Sequence, residues 1–317
     1  MAGVLLTTGC SLLEVPDSAA EYEASQYNKS IYKADLFAEN LCVAAEDVPF
    51  DGAADAAQPQ TDTFTAAALF DVDRSEVDFA YHIHDRLYPA STTKIMTALV
   101  AIKNADLDEV VTVGADADAG SFAADEQTCG LKAGDQLTLK DLLYGLLLYS
   151  GNDNAVAIAD HVAGSTEAFA QMMNEEAAEL MATDSHFLNS NGLHNENHYT
   201  TAYDLYLIFN ECIKHDEFVE IINAKSYTAN ITGADGTLRQ IKWEPTNFYA
   251  VGEARKPDNV TVIGGKTGTT KEAGNCLILL SEDEKKSPYI SVVMGADTKS
   301  ILYEDMTGLI EALPEKE

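Results

Sequence analysis

The sequence predicts an α/β protein of the α+β type, and three features of the chain indicate it. Apolar runs on both sides of the polar turn "DVDRSE" indicate a β-hairpin early in the folded domain. Apolar residues at helical spacing, including Phe169, Met172, Met173 and Met181, occupy the middle of the chain. Strand-like segments follow towards the C-terminus. We therefore expect strands at both ends of the domain, with helices between them.

A buried helix is expected directly after the hairpin. It begins near Ser91, just past Pro89, and carries apolar residues such as Ile95, Met96 and Leu99 on nearly every side. A helix that is apolar all round is usually buried.

Two more helices are expected around the tripeptide Ser150-Gly151-Asn152. Thr138 and Asp141 stand at capping-box spacing before an apolar helix that runs to Tyr149, and a second helix ends near Gly164. The tripeptide therefore falls in a tight loop between two helices. Taken alone, these residues are also typical of ordinary turns and caps.

The C-terminal third is rich in β-like segments. The stretch "VTVIGGKTGTTKEAGNCLILL" contains Lys266-Thr267-Gly268 and is followed by "YISVVMGA" after the turn "SEDEKK". A glycine in such a strand allows close backbone approach to a ligand, or it marks a β-bulge. A last helix should cover the sheet with apolar residues at helical spacing, namely Leu302, Met306, Leu309, Ile310 and Leu313.

The charge balance excludes one class of partner. The 317 residues include 52 acidic and 20 basic residues, a formal net charge of −32. Such a chain is unsuited to binding a phosphate backbone through a basic patch, so we expect no nucleic-acid partner. The acidic excess itself indicates only a soluble, self-repelling surface.

The N-terminus resembles the end of a bacterial lipoprotein signal. Its sequence "MAGVLLTTGCSLLEV" places an apolar run and small residues before Cys10, a candidate site for a lipid anchor. An ordinary apolar terminus is the alternative. We expect residues 1–20 to form a signal remnant or tether, residues 21–62 an acidic segment, residues 63–313 the main folded domain and residues 314–317 a tail. No run reaches the ~18 apolar residues of a spanning helix.

The remaining cysteines show neither a C-x-x-C pair nor the density of a disulfide-stapled domain. They are Cys42, Cys129, Cys212 and Cys276. We expect a structural role for each, although one or two disulfides would be compatible with an extracytoplasmic protein.

Ser91 and Lys94 form an S-x-x-K motif at the start of the first helix. Residues three apart lie on one face of a helix, so the two side chains should be neighbours. A lysine that is partly buried loses its proton more readily and can then act as a base for a hydroxyl. A lone S-x-x-K is nevertheless weak, because serine caps followed by lysine are common.

The order and spacing of the three motifs strengthen each of them. Ser150 follows Ser91 by 59 residues, and Lys266 follows Ser150 by 116. S-x-x-K, an S-D-N loop and K-T-G make up the active-serine set of β-lactamases and penicillin-binding proteins, and this chain has Ser150-Gly151-Asn152 at the second position.

The chain resembles the low-molecular-mass penicillin-binding proteins, which are serine D-alanyl-D-alanine carboxypeptidases. The segments "YPASTTKIMTALVA", "LLYGLLLYSGNDNAVAIA", "HFLNSNGLHNENHYTTAYDL" and "GGKTGTTKEAGNCLILL" carry this resemblance. It implies a β-lactamase/transpeptidase-like fold, an antiparallel sheet flanked by helices with an inserted helical subdomain. It also implies an extracytoplasmic enzyme of the cell envelope, membrane-associated or secreted, that needs no cofactor.

The resemblance assigns the acylation chemistry to the first two motifs. Ser91 would attack the carbonyl between two D-alanines of a peptidoglycan stem peptide, with Lys94 as the base. Ser150 would relay a proton to the departing nitrogen, and Asn152 would orient Lys94 and bind the substrate amide. β-Lactam antibiotics would acylate Ser91 as covalent inhibitors.

The third motif is assigned to substrate binding by the same resemblance. Lys266 and Thr267 would bind the terminal carboxylate. Gly268 allows close approach, and the N–H groups of Ser91 and Thr269 would stabilise the oxyanion.

Two departures from the family pattern stand out. Many relatives place an arginine after the last strand, whereas this chain has Lys299. An ammonium group cannot form the two parallel hydrogen bonds that a guanidinium forms with a carboxylate. We also expect no trailing β domain or amphipathic helix of the kind that many relatives carry, so the expected attachment is Cys10.

Other functions stay open at this point. A class A-like β-lactamase uses the same elements plus a glutamate for deacylation, and Glu196 is the acid in the middle of the corresponding region. A D,D-endopeptidase and a non-catalytic peptidoglycan-binding protein are further alternatives. The histidine pairs His82/His84 and His194/His198 lack a carboxylate pattern, so we expect no metal site.

Overall fold

The computed structural model describes residues 40–49 and 61–311 of the chain. Within these residues the strands are β1 (Ala66–Asp71), β2 (Glu76–Tyr81), β3 (Val110–Thr112), β4 (Gln136–Thr138), β5 (Tyr227–Thr232), β6 (Leu238–Trp243), β7 (Val260–Thr270), β8 (Gly274–Asp283) and β9 (Pro288–Ala296). They form two antiparallel sheets, one in the order β2-β1-β9-β8-β7 and one in the order β3-β4-β5-β6.

Helices pack against both sheets. In the same described residues they are α1 (Lys94–Asn104), α2 (Leu139–Tyr144), α3 (Asn152–Ala163), α4 (Thr166–Glu179), α5 (Ala202–Cys212), α6 (Asp216–Asn223), α7 (Phe248–Val251) and α8 (Lys299–Glu311). Two short 3₁₀ turns, Ala90–Thr93 and Ala119–Ser121, and a π-helical turn, Gly145–Tyr149, complete them. None of these helices is both long enough and apolar enough to cross a membrane.

The five-stranded sheet is buried on both faces, because side chains along a strand alternate between them. In β8, Ile278 and Leu280 join the core beneath α5, whereas Leu277 and Leu279 join the core beneath α8. The predicted α/β fold class, with helices on both faces of an antiparallel sheet, is therefore confirmed.

The last helix covers the sheet as its periodicity predicts. Leu302, Met306, Leu309 and Ile310 of α8 are all buried and pack against β8 and β9. Leu313 lies outside the described residues.

The inserted region contains more than the expected helices. The second sheet, β3 to β6, lies among them, and its strands β3 and β4 contain only three residues each. Strands this short carry too few residues for a period of two to be recognised. Met181 was also assigned wrongly to the helical pattern: it follows α4 with a φ of 61° and is 63% exposed.

Residues 40–49 pack onto the sheet edge. Val48 forms a two-way backbone bridge with Ala80 of β2. Cys42 is fully buried, and its N–H donates to the Tyr206 hydroxyl at 2.9 Å while its carbonyl accepts from the Tyr203 hydroxyl at 2.9 Å. This part of the predicted acidic segment therefore contacts the folded domain directly.

The four cysteines in the described residues are free and buried, as expected for structural side chains. Burial raises the pKa of Cys276 to about 11, so its thiol stays protonated at neutral pH. Cys10 lies outside the described residues.

Candidate active site

A strained turn presents Ser91. The 3₁₀ turn Ala90–Thr93 follows Pro89, and α1 continues from it without a break. Ala90 has a φ of 49°, a left-handed conformation that costs an L-residue ~1–2 kcal/mol. The Thr92 hydroxyl donates to the Pro89 carbonyl at 2.7 Å and helps to hold the turn. Strain of this kind is typical of functional sites.

Lys94 lies fully buried directly behind Ser91. Its Nζ is 3.0 Å from Ser91 Oγ, 2.8 Å from Asn152 Oδ1 and 2.6 Å from the Asn191 carbonyl oxygen. The last two atoms can only accept hydrogen bonds. A neutral amine has two N–H groups, which these two oxygens match, and its lone pair is then left for the Ser91 hydroxyl proton.

The environment of Lys94 favours that neutral form. Burial lowers the pKa of Lys94 to about 7, although the negative charge of Asp153 acts in the opposite direction. The arrangement can therefore activate a serine nucleophile near neutral pH, as the S-x-x-K motif predicts.

Asn191 contacts Lys94, and no sequence pattern predicted this contact. Its contribution is a backbone carbonyl in the loop between α4 and α5. Thr97 binds the neighbouring Ser190 carbonyl at 2.6 Å, so two side chains of α1 hold this loop. A Cβ on Gly192, whose φ is +84°, would lie 1.9 Å from the Ala90 carbonyl oxygen. The glycine therefore permits the loop to contact the Ala90–Thr93 turn.

His198 supports the same turn from beneath. Its Nδ1 accepts from the Leu188 N–H at 3.1 Å, and Nε2 is 2.8 Å from Thr93 Oγ1. Burial lowers the pKa of His198 to about 4, so the ring is neutral at pH 7 and Nε2 carries the proton. This histidine is therefore a buried, neutral part of the support beneath Ser91.

Ser150 and Asn152 stand where two helices meet. Thr138 and Asp141 form the predicted capping box at the start of α2. The expected single helix changes to a π-helical turn after Tyr144 and ends at Ser150, which is left-handed with a φ of 68°. Asn152 is the first residue of α3, and its N–H donates to the Gln127 carbonyl at 2.8 Å.

Asp153 holds the neighbouring loop in place. It is fully buried, and its carboxylate accepts from the N–H groups of Cys129 at 2.8 Å and Leu131 at 3.0 Å. This loop contributes Asp125, Glu126 and Gln127 to one wall of the cleft described below.

Lys266 lies on β7 and faces inward. Its Nζ donates to Ser150 Oγ at 2.9 Å and to the Thr267 carbonyl at 2.7 Å. Burial lowers the pKa of Lys266 well below that of free lysine, and the charge of Lys94 lowers it further. The two lysines thus oppose each other's protonation.

Gly268 lets β7 pack directly against the Ala90–Thr93 turn. A Cβ at this position would lie 2.8 Å from the Pro89 carbonyl oxygen and 3.0 Å from the Ser91 nitrogen. The expected alternative, a glycine bulge, is not present here, since Gly268 pairs regularly with Cys276 and the register shift lies between Val262 and Gly264.

These elements enclose one cleft of about 630 Å³. Every sequence-predicted site residue lines it or lies directly behind it: the lining includes Ser91, Ser150, Asn152, Thr267, Gly268, Thr269 and Lys299, with Lys94 and Lys266 buried beneath. Thr246, which was not predicted, also lines it, 2.8 Å from Thr267 Oγ1. Lys299 is exposed at the start of α8.

Carboxylates also line the cleft, and the sequence analysis missed them. They are Asp125, Glu126 and Glu272. Glu196, the acid considered for deacylation, is exposed and is not part of the lining. Among residues 40–49 and 61–311, no group of three His, Cys, Asp or Glu side chains could hold a metal ion.

Comparison with known proteins identifies the family. Residues 53–298 match the family model described as D-alanyl-D-alanine carboxypeptidase. The chain belongs to this family.

The curated relatives are longer than the segments that match this chain. The D-alanyl-D-alanine carboxypeptidase DacD of Escherichia coli (strain K12) is 34% identical over 284 residues, covering 84% of this chain and 66% of the relative. DacF of Bacillus subtilis (strain 168) is 31% identical over 252 residues, covering 78% of this chain and 61% of the relative. The chain thus matches somewhat less than two thirds of these relatives.

A solved structure matches the fold of this chain. The Streptomyces K15 DD-transpeptidase aligns with a TM-score of 0.72 at 29% identity, covering 79% of this chain and 96% of that one. The predicted β-lactamase/transpeptidase-like fold is therefore confirmed.

We expect Gly268→Ala to slow acylation of Ser91 by a β-lactam by at least about tenfold, because a misplacement of 1 Å can cost about 100-fold. The new Cβ would meet backbone atoms of Pro89 and Ser91, which cannot rotate away. Stopped-flow or mass-spectrometric acylation rates measure the effect.

The matched control is Gly308→Ala, since a Cβ there meets nothing within 4 Å. A wild-type acylation rate in Gly268→Ala would show that the close approach of β7 is dispensable.

We expect the acylation rate to rise with pH through an apparent pKa near the value of about 7 for Lys94, because only the neutral amine accepts a proton.

Lys94→Arg cannot deprotonate usefully and should acylate at least about 100-fold more slowly. Circular dichroism and thermal unfolding check that the variant folds. A folded Lys94→Arg protein with near-wild-type acylation would assign the base to another group.

Proposed function

We propose that the protein is a serine D-alanyl-D-alanine carboxypeptidase that removes the terminal D-alanine of peptidoglycan stem peptides. The observation that carries the proposal is the contact of Lys94 Nζ with Ser91 Oγ. Asn152 and Asn191 already bind the two N–H groups of a neutral Lys94 amine, so its lone pair is left for the Ser91 proton. Membership of the D-alanyl-D-alanine carboxypeptidase family supports the substrate class.

Acylation begins at Ser91. Lys94 takes the hydroxyl proton while Ser91 Oγ attacks the carbonyl carbon of the penultimate D-alanine. The N–H groups of Ser91 and Thr269 stabilise the oxyanion that forms. Asn152 orients Lys94 through the 2.8 Å hydrogen bond to its Oδ1 and binds the substrate amide.

The leaving group departs on the side of Ser150 and Lys266. Ser150 passes a proton to the leaving nitrogen, and Lys266 hydrogen-bonds Ser150 Oγ. Lys266, Thr267 and Lys299 bind the carboxylate of the departing D-alanine. Water then hydrolyses the ester and regenerates Ser91.

The alternatives have less support. The acid proposed for a β-lactamase, Glu196, lies exposed outside the cleft lining. A non-catalytic role gives no reason for a fully buried lysine beside Ser91. The catalytic domain proposed for residues 63–313, the lipid anchor at Cys10 and the place in the cell envelope belong to the same proposal.

We expect a synthetic peptide ending in D-Ala-D-Ala to release D-alanine with wild-type protein and none with Ser91→Ala. Brief β-lactam exposure should add one covalent adduct, on the peptide that contains Ser91, because the opened ring stays attached to the ester. A D-alanine assay and intact-mass spectrometry measure the two results. Equal labelling of Ser91→Ala would show that another residue is the nucleophile.

We expect the β-lactam acyl-enzyme to persist for minutes or longer while D-Ala-D-Ala peptide is hydrolysed steadily. A tethered leaving group blocks the approach of water, and Glu196, the acid considered for activating that water, lies outside the cleft lining. Glu196→Gln should change neither rate by more than about tenfold, roughly 1.4 kcal/mol. Rapid penicillin turnover that collapses in Glu196→Gln, without release of D-alanine, would make the protein a β-lactamase.

A further inference from the structure

A separate pocket of about 200 Å³ lies at the start of β7. It is bounded by the chain just after α6, by α7 and by the first residues of β7. Within the described parts of the chain, it shares no lining residue with the active-site cleft. Pockets for drug-sized ligands usually enclose about 300–1,000 Å³. This pocket therefore suits one small chemical group.

Close packing of β7 against the end of α6 brings the walls of the pocket together. A Cβ on Gly264 would lie 2.0 Å from the Ile222 carbonyl oxygen, so a larger residue would force the strand away from the helix. β7 is an edge strand, and its register shift between Val262 and Gly264 leaves Ile263 without a partner in β8. Edge strands and bulges leave backbone groups unpaired. The pocket thus adjoins a part of β7 that is not fully paired.

Two lysines give this pocket a positive charge. Lys225 and Lys256 both line it, and neither forms an ion pair or a hydrogen bond with another described residue. Other exposed lysines, such as Lys214 and Lys242, are paired with carboxylates. No carboxylate is among the described residues that line the pocket, whereas three line the active-site cleft. The charges of Lys225 and Lys256 are therefore left for an anion.

Asn247 adds a donor that lacks a partner. This residue lines the pocket and is only 6% exposed, and its Oδ1 accepts from the Tyr249 N–H at 3.0 Å at the start of α7. That bond identifies the oxygen of the amide, because an N–H group must bind to an acceptor. The other atom, Nδ2, has no hydrogen-bond partner within the described residues. Buried donors nearly always have a partner, so an acceptor is expected in the pocket.

We propose that this pocket binds a phosphate group, either as the free ion or as a phosphate monoester. A phosphate monoester carries a charge of about −1.5 to −2 and three strong acceptor oxygens. The two ammonium groups match that charge, and Asn247 Nδ2 supplies a third donor without adding charge. A carboxylate carries one negative charge and would leave one lysine unbalanced. The proposal is independent of the reaction at Ser91.

The first test is equilibrium dialysis of the full chain against radiolabelled inorganic phosphate, glycerol 3-phosphate or acetate. Ionic strength is held constant, because the net charge of −32 makes anion binding sensitive to salt. We expect one phosphate per chain with a Kd of about 1 mM or tighter, and binding of acetate at least about tenfold weaker. Equal affinity for the two phosphates would identify the ion itself as the ligand, whereas tighter binding of glycerol 3-phosphate would identify a monoester.

Variants locate the bound phosphate. Lys225→Gln/Lys256→Gln should raise the Kd at least about tenfold, since both side chains are exposed and their replacement should leave the fold intact. Asn247→Asp keeps the oxygen that caps α7 but replaces the Nδ2 donor with an anionic oxygen, so we expect it to weaken binding as much. Lys285→Gln/Lys286→Gln, in the exposed turn between β8 and β9, changes the net charge equally and should bind as wild type. Circular dichroism checks each fold.

Lys299→Gln separates this pocket from the active-site cleft, which Lys299 lines. Binding that is lost in Lys299→Gln and kept in Lys225→Gln/Lys256→Gln would place the anion in the cleft and overturn the proposal. A wild-type Kd in the double variant, equal loss in the Lys285→Gln/Lys286→Gln control, or acetate binding as tight as phosphate binding would also overturn it. None of these results depends on D-alanine release, which tests the proposed function separately.

Discussion

The burial of the Lys94 amine is the constraint on which the whole site depends. An amine is tolerated in the interior when it is neutral and its hydrogens have acceptors. Here the acceptors come from two distant segments, the first residue of α3 and the loop between α4 and α5. The helical region must therefore be folded around α1 before the Lys94 amine has both acceptors. The hydrogen bonds of the Lys94 amine thus belong both to the protein core and to the candidate active site.

Close backbone packing holds the turn that carries Ser91 in a conformation that it would not adopt alone. Ala90 and Ser150 both have left-handed φ values, 49° and 68°, and both lie beside the cleft. Gly192 and Gly268 let two other segments touch the Ala90–Thr93 turn, where a Cβ would meet backbone atoms. Packing from several elements can stabilise strain that a local sequence cannot. The turn is thus fixed by neighbours that are far away in sequence.

The sequence predicts those parts of the site that have local signals. Ser91 and Lys94 stand three residues apart on one helical turn, and the Thr138–Asp141 capping box positions the helix that leads to Ser150. Asn191 contributes a main-chain carbonyl, which no side-chain pattern can reveal. The short strands β3 and β4 have no period to detect. The loop carboxylates Asp125 and Glu126 reach the cleft only through tertiary packing around Asp153.

The two buried lysines give the proposed mechanism a way to couple binding to chemistry. The net charge of −32 repels an anionic substrate at long range, but salt screens that repulsion beyond about 8 Å. Within the cleft, a carboxylate beside Lys266 offsets the cost of burying a charge there and favours the protonated form of Lys266. That positive charge then disfavours a second one on Lys94, whose pKa burial already lowers to about 7. In the proposed mechanism the two lysines therefore divide the work, Lys266 binding the carboxylate that identifies the substrate and Lys94 accepting the proton of Ser91.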